Sequence, residues 1–195
     1  MSSEVRDMIA RQMAERWEWM CGQHPAYTDT DIDRLPMAPG PLATILSWKY
    51  NPRGMVIFGE SGAGKTRAVF LLLKRLTLED GIPCRFFHCT EFGNDVSAKF
   101  GESSVVAKSW LDRLAIIPVM VFDDLGKERL TDRGEAEFFG LIERRFSKQY
   151  PTIITTNHPT ADAVGSMFGQ DRAAPLVRRL REYFTPVKAT KETSK

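Results

Sequence analysis

The sequence is poor in several things, and each lack removes a class of function. No apolar run approaches the roughly 18 residues that a membrane-spanning helix needs, so no membrane partner is expected. Cysteine is scarce: Cys21, Cys84 and Cys89 are all there are. An odd count, behind an N-terminus (MSSEVRDMIARQMAERW) without a signal peptide's apolar stretch, points to free thiols and a cytoplasmic location. Cys84 and Cys89 lie five positions apart in an expected strand, on opposite faces, and so cannot readily share one ion. Cys21 and His24 have the spacing of half a zinc site, and no convincing second half follows. A charge of one sign is also missing: 27 basic against 25 acidic residues leave a net charge of +2. Any nucleic acid would therefore be met by a local patch, not by a global field. No internal repeat occurs, and the one biased stretch is the polar tail over residues 189–195, expected to be disordered.

What is present is an ordinary globular composition, 43% hydrophobic and 27% charged, in a chain long enough for one domain with a real core. Val5, Ile9, Met13, Trp17 and Met20 recur every three or four positions, the mark of an amphipathic helix. The Pro-, Asp- and Thr-rich run that follows reads as a linker, giving an N-terminal helix and linker over residues 1–40. Trp17, Trp19 and Met20 cluster near the helix end, either as a partner anchor or folded back on the core. From there, apolar runs at Met55–Phe58, Cys84–Cys89, Pro118–Phe122, Thr152–Thr156 and Tyr183–Lys188 read as strands. Helical spacing lies between them, with residues 91–114 the least regular. Alternation of this kind predicts an α/β domain over residues 41–188, with a parallel sheet covered by helices on both faces.

The segment Gly59-Glu60-Ser61-Gly62-Ala63-Gly64-Lys65-Thr66 follows the first strand and leads into a helix. It fits G-x-x-x-x-G-K-[ST], the phosphate-binding loop. The glycines let the backbone curl until its N–H groups point at phosphate oxygens, and the helix adds the positive end of its dipole. Lys65 then reaches the β- and γ-phosphates of ATP, and Thr66 offers its hydroxyl to Mg²⁺. The third strand runs apolar into Asp123 and Asp124. Ligands of open parallel sheets sit beyond the carboxyl ends of the strands, which places Asp123 to hold Mg²⁺ with Thr66 and Asp124 to polarise the attacking water. The fourth strand ends in Thr155-Thr156-Asn157. Asn157 either orients that water or simply begins the turn at His158-Pro159. Tyr27 is either a stacking partner for adenine or a packing residue.

These segments, together with the run DDLGKERLTDRGEAEFFGLIERRFSKQYPTIITTNHP and the late segment VRRLRE, resemble the DnaC-type helicase loaders and the related IstB-type transposition helpers, which are AAA+ ATPases. The resemblance implies a five-stranded parallel sheet of order 5-1-4-3-2. It implies Walker A residues at Lys65 and Thr66, Walker B residues at Asp123 and Asp124, where members often carry Asp-Glu, and a sensor at Asn157. Arg179 matches the arginine finger, acting in a neighbouring subunit, with Arg172 and Arg178 as competitors. The resemblance further implies slow hydrolysis by an isolated subunit, single-stranded DNA as a partner, homo-oligomers with ATP and DNA, and a replicative helicase or a transposase as the protein partner. Lys99, Lys108, Arg113, Lys127, Arg129 and Arg133 are scattered candidates for phosphate contacts or plain surface charges. No C-terminal lid with a second sensor arginine is visible. A small-molecule kinase is the distant alternative, which phosphoryl transfer to a nucleoside or nucleotide would reveal.

Overall fold

The computed structural model describes residues 3–127, 130–166, 168 and 170–192. Helix α1 (Ser3–Gln23) opens the chain, and after two short 3₁₀ turns comes α2 (Pro39–Leu46). Then follow β1 (Gly54–Phe58), α3 (Lys65–Leu78), β2 (Cys84–His88), α4 (Cys89–Glu102), α5 (Ser104–Leu114) and β3 (Val119–Asp123). The chain continues with α6 (Asp132–Ser147), β4 (Thr152–Thr156), α7 (Ala161–Gly165), α8 (Gln170–Tyr183) and β5 (Phe184–Lys188).

All strand pairings are parallel, in the order β2-β3-β4-β1-β5, which is the expected 5-1-4-3-2 read from the other edge. Strands β1, β3 and β4 are buried along their whole length, because helices cover both faces. The period of two sorts their side chains. Met55, Ile57, Val119, Val121 and Ile153 join the core on the α1–α3 side. Val56, Phe58, Met120, Phe122 and Ile154 join the core on the α4–α8 side. The irregular stretch 91–114 proves to be two helices. Ser103 divides them, its side chain accepting the Val106 N–H as the cap of α5. Cys89 lies at the start of α4, not in a strand, so its expected strand alternation with Cys84 does not apply.

The segment read as helix and linker packs on the α/β core, the folded-back alternative for Trp17 and Met20, whereas the tail expected to be disordered needs correction. Trp17, Met20, Leu35 and Met37 are buried in the same cluster as α3, with Trp17 against Phe70 at 6.2 Å. Burying such side chains stabilises the contact by about 1.5–3 kcal/mol each. Trp19 points the other way, half exposed, with the Arg85 guanidinium over its ring. The tail is ordered through residue 192: Ala189 N–H donates to Phe58 O, Ala38 N–H to Thr190 O and Glu192 N–H to Pro36 O. Residues 193–195 lie outside the described residues.

At the amino ends of the strands, Arg145 of α6 is fully buried, and among the described residues no carboxylate is bonded to it. Its guanidinium donates to Thr152 Oγ1 and to the carbonyls of Leu114, Ile117, Pro118 and Pro151. One side chain thereby ties the entries of β3 and β4 to the end of α5.

Candidate nucleotide-binding site

At the carboxyl edge of the sheet, β1 stops at Phe58 and α3 starts at Lys65. The loop between them turns through Gly62 (φ 76°) and Gly64 (φ 80°), a left-handed backbone that only glycine adopts without strain. Ala63 is buried between them. A cleft of about 230 Å³ lies over this loop. It is bounded by Ser61 to Arg67 on one side, Asp124 and Asn157 on another, and Tyr27 and Pro36 from the N-terminal segment.

Lys65 is almost entirely buried. Its Nζ donates to Gly59 O (2.8 Å), Glu60 O (2.9 Å) and Asn157 Oδ1 (2.8 Å). Burial pulls its pKa below the usual lysine value, and Asp124 and Asp123 work against that shift. The amine is thus gathered in by its own loop, next to the N–H groups that α3 leaves without helical partners.

Asp123 is fully enclosed, with no exposed surface. The Thr66 hydroxyl lies 3.0 Å from each of its oxygens. Thr155 Oγ1 donates to Oδ1 at 2.6 Å and in turn accepts the Asp124 N–H at 3.0 Å. His88 Nδ1 meets Oδ2 at 3.1 Å. That hydrogen bond raises the His88 pKa against the opposing effect of burial. Asp124 sits where β3 breaks, at φ 56°, its carboxylate turned to the cleft with Lys127 at 3.6 Å. The turn after it is pinned to β4, since Leu125 N–H donates to Thr155 O and Thr156 Oγ1 to Leu125 O.

The eight loop residues, Asp123, Asp124 and Asn157 therefore converge on one edge. Arg179 does not join them. It forms a bidentate pair with Glu143 (2.7 and 2.9 Å) and stacks on Phe146 and Tyr183. It faces Gly54 and Thr152, at the opposite ends of β1 and β4. Arg178 is exposed on the same helix, and the Arg172 side chain lies outside the described residues. Among the candidate phosphate contacts, Lys99 pairs with Glu102, Arg133 covers Phe100 and Arg113 bonds Ser109. Arg129 lies outside the described residues.

Sequence reasoning missed Thr155 and His88, both of which hold Asp123. Each is a polar residue at or near the carboxyl end of a strand, and that was the available signal. Tyr27 reaches the rim of the cleft while packing on Phe70 (5.1 Å) and Phe86 (6.3 Å), so its ring is largely engaged by the core.

Solved structures share this architecture. The DnaC helicase loader superposes with a TM-score of 0.65 at 23% identity, over 77% of this chain and 86% of that one. DnaI gives 0.64 at 19%, over 87% and 89%. The replication initiator DnaA, solved with AMPPCP and single-stranded DNA, gives 0.64 at 14%, over 87% of this chain and 51% of that one. Likeness at this identity speaks for the fold, that of the P-loop AAA+ ATPases. Among curated proteins, none matches the sequence. The family model described as IstB-like ATP binding protein matches residues 27–185. With that match over most of the chain, and with the phosphate-binding loop and its acidic partner strand in place, the chain belongs to the IstB-like ATP-binding family of the DnaC/IstB type.

Proposed function

We propose that this chain hydrolyses ATP and uses the cycle to load or remodel a replicative helicase on single-stranded DNA. The observation that carries the reading is the convergence of Lys65, Thr66, Asp123, Asp124 and Asn157 on one cleft at the carboxyl edge of the sheet. In this reading, Lys65 leaves the carbonyls of Gly59 and Glu60 for the β- and γ-phosphates, whose charge it meets better than neutral oxygens can. Thr66 and Asp123 form an all-oxygen donor set, which suits Mg²⁺. The ion held there would neutralise charge on the phosphates. Asp124, at the mouth of the cleft, takes the proton of the attacking water, and Asn157 orients that water. Arg179, engaged by Glu143 on the far edge of its own chain, completes the site of a neighbouring subunit in an oligomer.

A second reading is a transposition helper that works with a transposase on DNA. The family match over residues 27–185 favours it.

The deciding experiment is a pull-down with the host's replicative helicase, run with ATP, with ADP and with Lys65→Ala protein. Capture that needs ATP and fails in the variant supports the loader. Loss of helicase capture with nucleotide-competent protein moves the reading to the transposase. The subunit roles have their own test. Asp124→Asn should keep ATP binding and lose hydrolysis by about 10²–10⁴-fold. Arg179→Ala should bind ATP and turn over roughly 10³–10⁵-fold more slowly in the assembly. Mixing the two variants should restore activity at hybrid interfaces; no rescue would remove the action in trans.

A further inference from the structure

Behind the nucleotide cleft, three elements bring a second set of donor atoms together. His24 directly follows α1 and precedes the first 3₁₀ turn, His88 ends β2, and Glu91 lies in the first turn of α4. One donor atom from each lies within 4.8 Å of the other two.

His24 is nine-tenths buried, edge-on to Phe86 (4.7 Å) and to His88 (5.4 Å). Among the described residues, no hydrogen bond reaches either of its ring nitrogens. A histidine kept for core packing ordinarily places its N–H on an acceptor; this one makes no such bond and stands beside another imidazole and a carboxylate. His88 has the opposite character. Its Nδ1 is engaged by the Asp123 carboxylate at 3.1 Å. An N–H held by a carboxylate is the arrangement that fixes the tautomer of metal-binding histidines, leaving the far nitrogen, Nε2, as the donor. Glu91 is anchored at the helix start, where its Oε2 accepts the His88 backbone N–H at 3.4 Å.

We infer that His24, His88 and Glu91 form a binding site for one divalent transition-metal ion of the zinc class. Two imidazoles and one carboxylate, with a fourth position for water, form a zinc ligand set. Nitrogen donors select against Mg²⁺, which takes oxygen ligands. The site is thereby chemically distinct from the Thr66–Asp123 pair. Zinc bonds of about 2.0–2.1 Å in a tetrahedron set ligand atoms roughly 3.4 Å apart. The donor atoms, now within 4.8 Å of one another, would close on the ion to reach that spacing, with the exposed Glu91 side chain free to rotate and the two imidazoles shifting by a smaller adjustment of their rings. Cys21 is outside the set. The half-site visible in the sequence as Cys21 and His24 thus finds its missing partners in β2 and α4, and only His24 of that pair takes part.

The location gives the ion a role. It would tie the N-terminal segment, whose Tyr27 and Pro36 border the cleft, to His88, which holds Asp123. The inference does not depend on ATP hydrolysis, and its test uses no nucleotide.

The full-length protein, stripped of metal, is titrated with Co²⁺ in excess Mg²⁺. One equivalent should bind with the visible absorption of four-coordinate Co²⁺, and Zn²⁺ should displace it. His24→Ala and Glu91→Gln should each weaken binding by at least about tenfold. Glu91 is exposed, so Glu91→Gln retains the fold even where His24→Ala disturbs the core. Absence of binding at micromolar concentrations of Co²⁺ and Zn²⁺ overturns the proposal. So does binding that neither variant weakens, because the ion then sits elsewhere, on Asp123 for example.

Discussion

The two edges of the sheet each bury a cation, and they do so to different ends. At the amino edge, Arg145 has five acceptors around one guanidinium, four of them main-chain carbonyls and the fifth Thr152 Oγ1. Burial draws its pKa down to about 10, yet it remains charged at neutral pH. Every acceptor belongs to the framework, so the group has nowhere better to go. At the carboxyl edge, Lys65 also rests on main-chain carbonyls, but it sits at an open cleft beside Asp123, Asp124 and Asn157. Its partners are two loop carbonyls and an amide, which a phosphate can outbid. A fully satisfied buried charge serves as a staple, whereas a buried charge at a cleft edge is poised to exchange partners.

The sharpest attack on this comparison is Arg145→Ala. It should cost about 3–5 kcal/mol, because the framework acceptors lose their donor in a dry interior. For a chain of this size that is a fall in Tm of roughly 6–20 °C, with ATP affinity unchanged in the protein that remains folded. A selective loss of nucleotide binding would break the distinction. Lys65→Ala should do the reverse. Losing charge-assisted bonds to phosphate at about 1.5–3 kcal/mol each weakens ATP binding by roughly tenfold to more than a hundredfold. Calorimetry should report that loss beside a near-normal thermal melt. Thr155→Val should fall between the two. It leaves Asp123 Oδ1 and the Asp124 N–H without their shared hydroxyl. About 1–2 kcal/mol of stability should go, together with part of the Mg²⁺ dependence of ATP binding.

The smallest effect is a pH dependence confined to the carboxyl edge, measured by denaturant unfolding of metal-free protein over roughly pH 5–8. His88 is raised above the ordinary value of 6.5 by its bond to Asp123. Its contribution is complete below 6.5 and is lost as pH rises through the raised folded value. His24 is lowered from 6.5, first by burial. Stability is gained as pH rises through its depressed folded value towards 6.5. A shallow maximum near pH 6.5 should result. His88→Gln should flatten the upper side and His24→Gln the lower side, while the Arg145 edge stays constant.

Much of the carboxyl edge was legible in the sequence because its chemistry is local. The turn at Gly62 and Gly64, the start of α3 at Lys65 and the apolar run into Asp123 are each short-range patterns, and parallel strands bring their carboxyl ends together by topology. Strand positions were readable to within a residue or two for the same reason. The amino edge was illegible. Nothing about Arg145 in a run of charged residues marks it for full burial; only the approach of α5, β3 and β4 encloses it. His88 and Thr155 were passed over because a single polar residue at a strand end is common. The packing of the linker was hidden for a related reason. Its prolines and aspartates allow only short turns but do not prevent packing, so Leu35 and Met37 reach the core without any periodicity to announce them.

The sequence by itself determined the phosphate-binding loop, the acidic strand end and the alternation that makes a parallel sheet, since each follows from backbone freedom or from side-chain period along a continuous stretch. Tertiary structure alone decided which residues hold Asp123, which cation becomes a staple, and which donors stand beside His24. Those are meetings between residues far apart in the chain, and burial and hydrogen bonding set their terms only once the layers have closed.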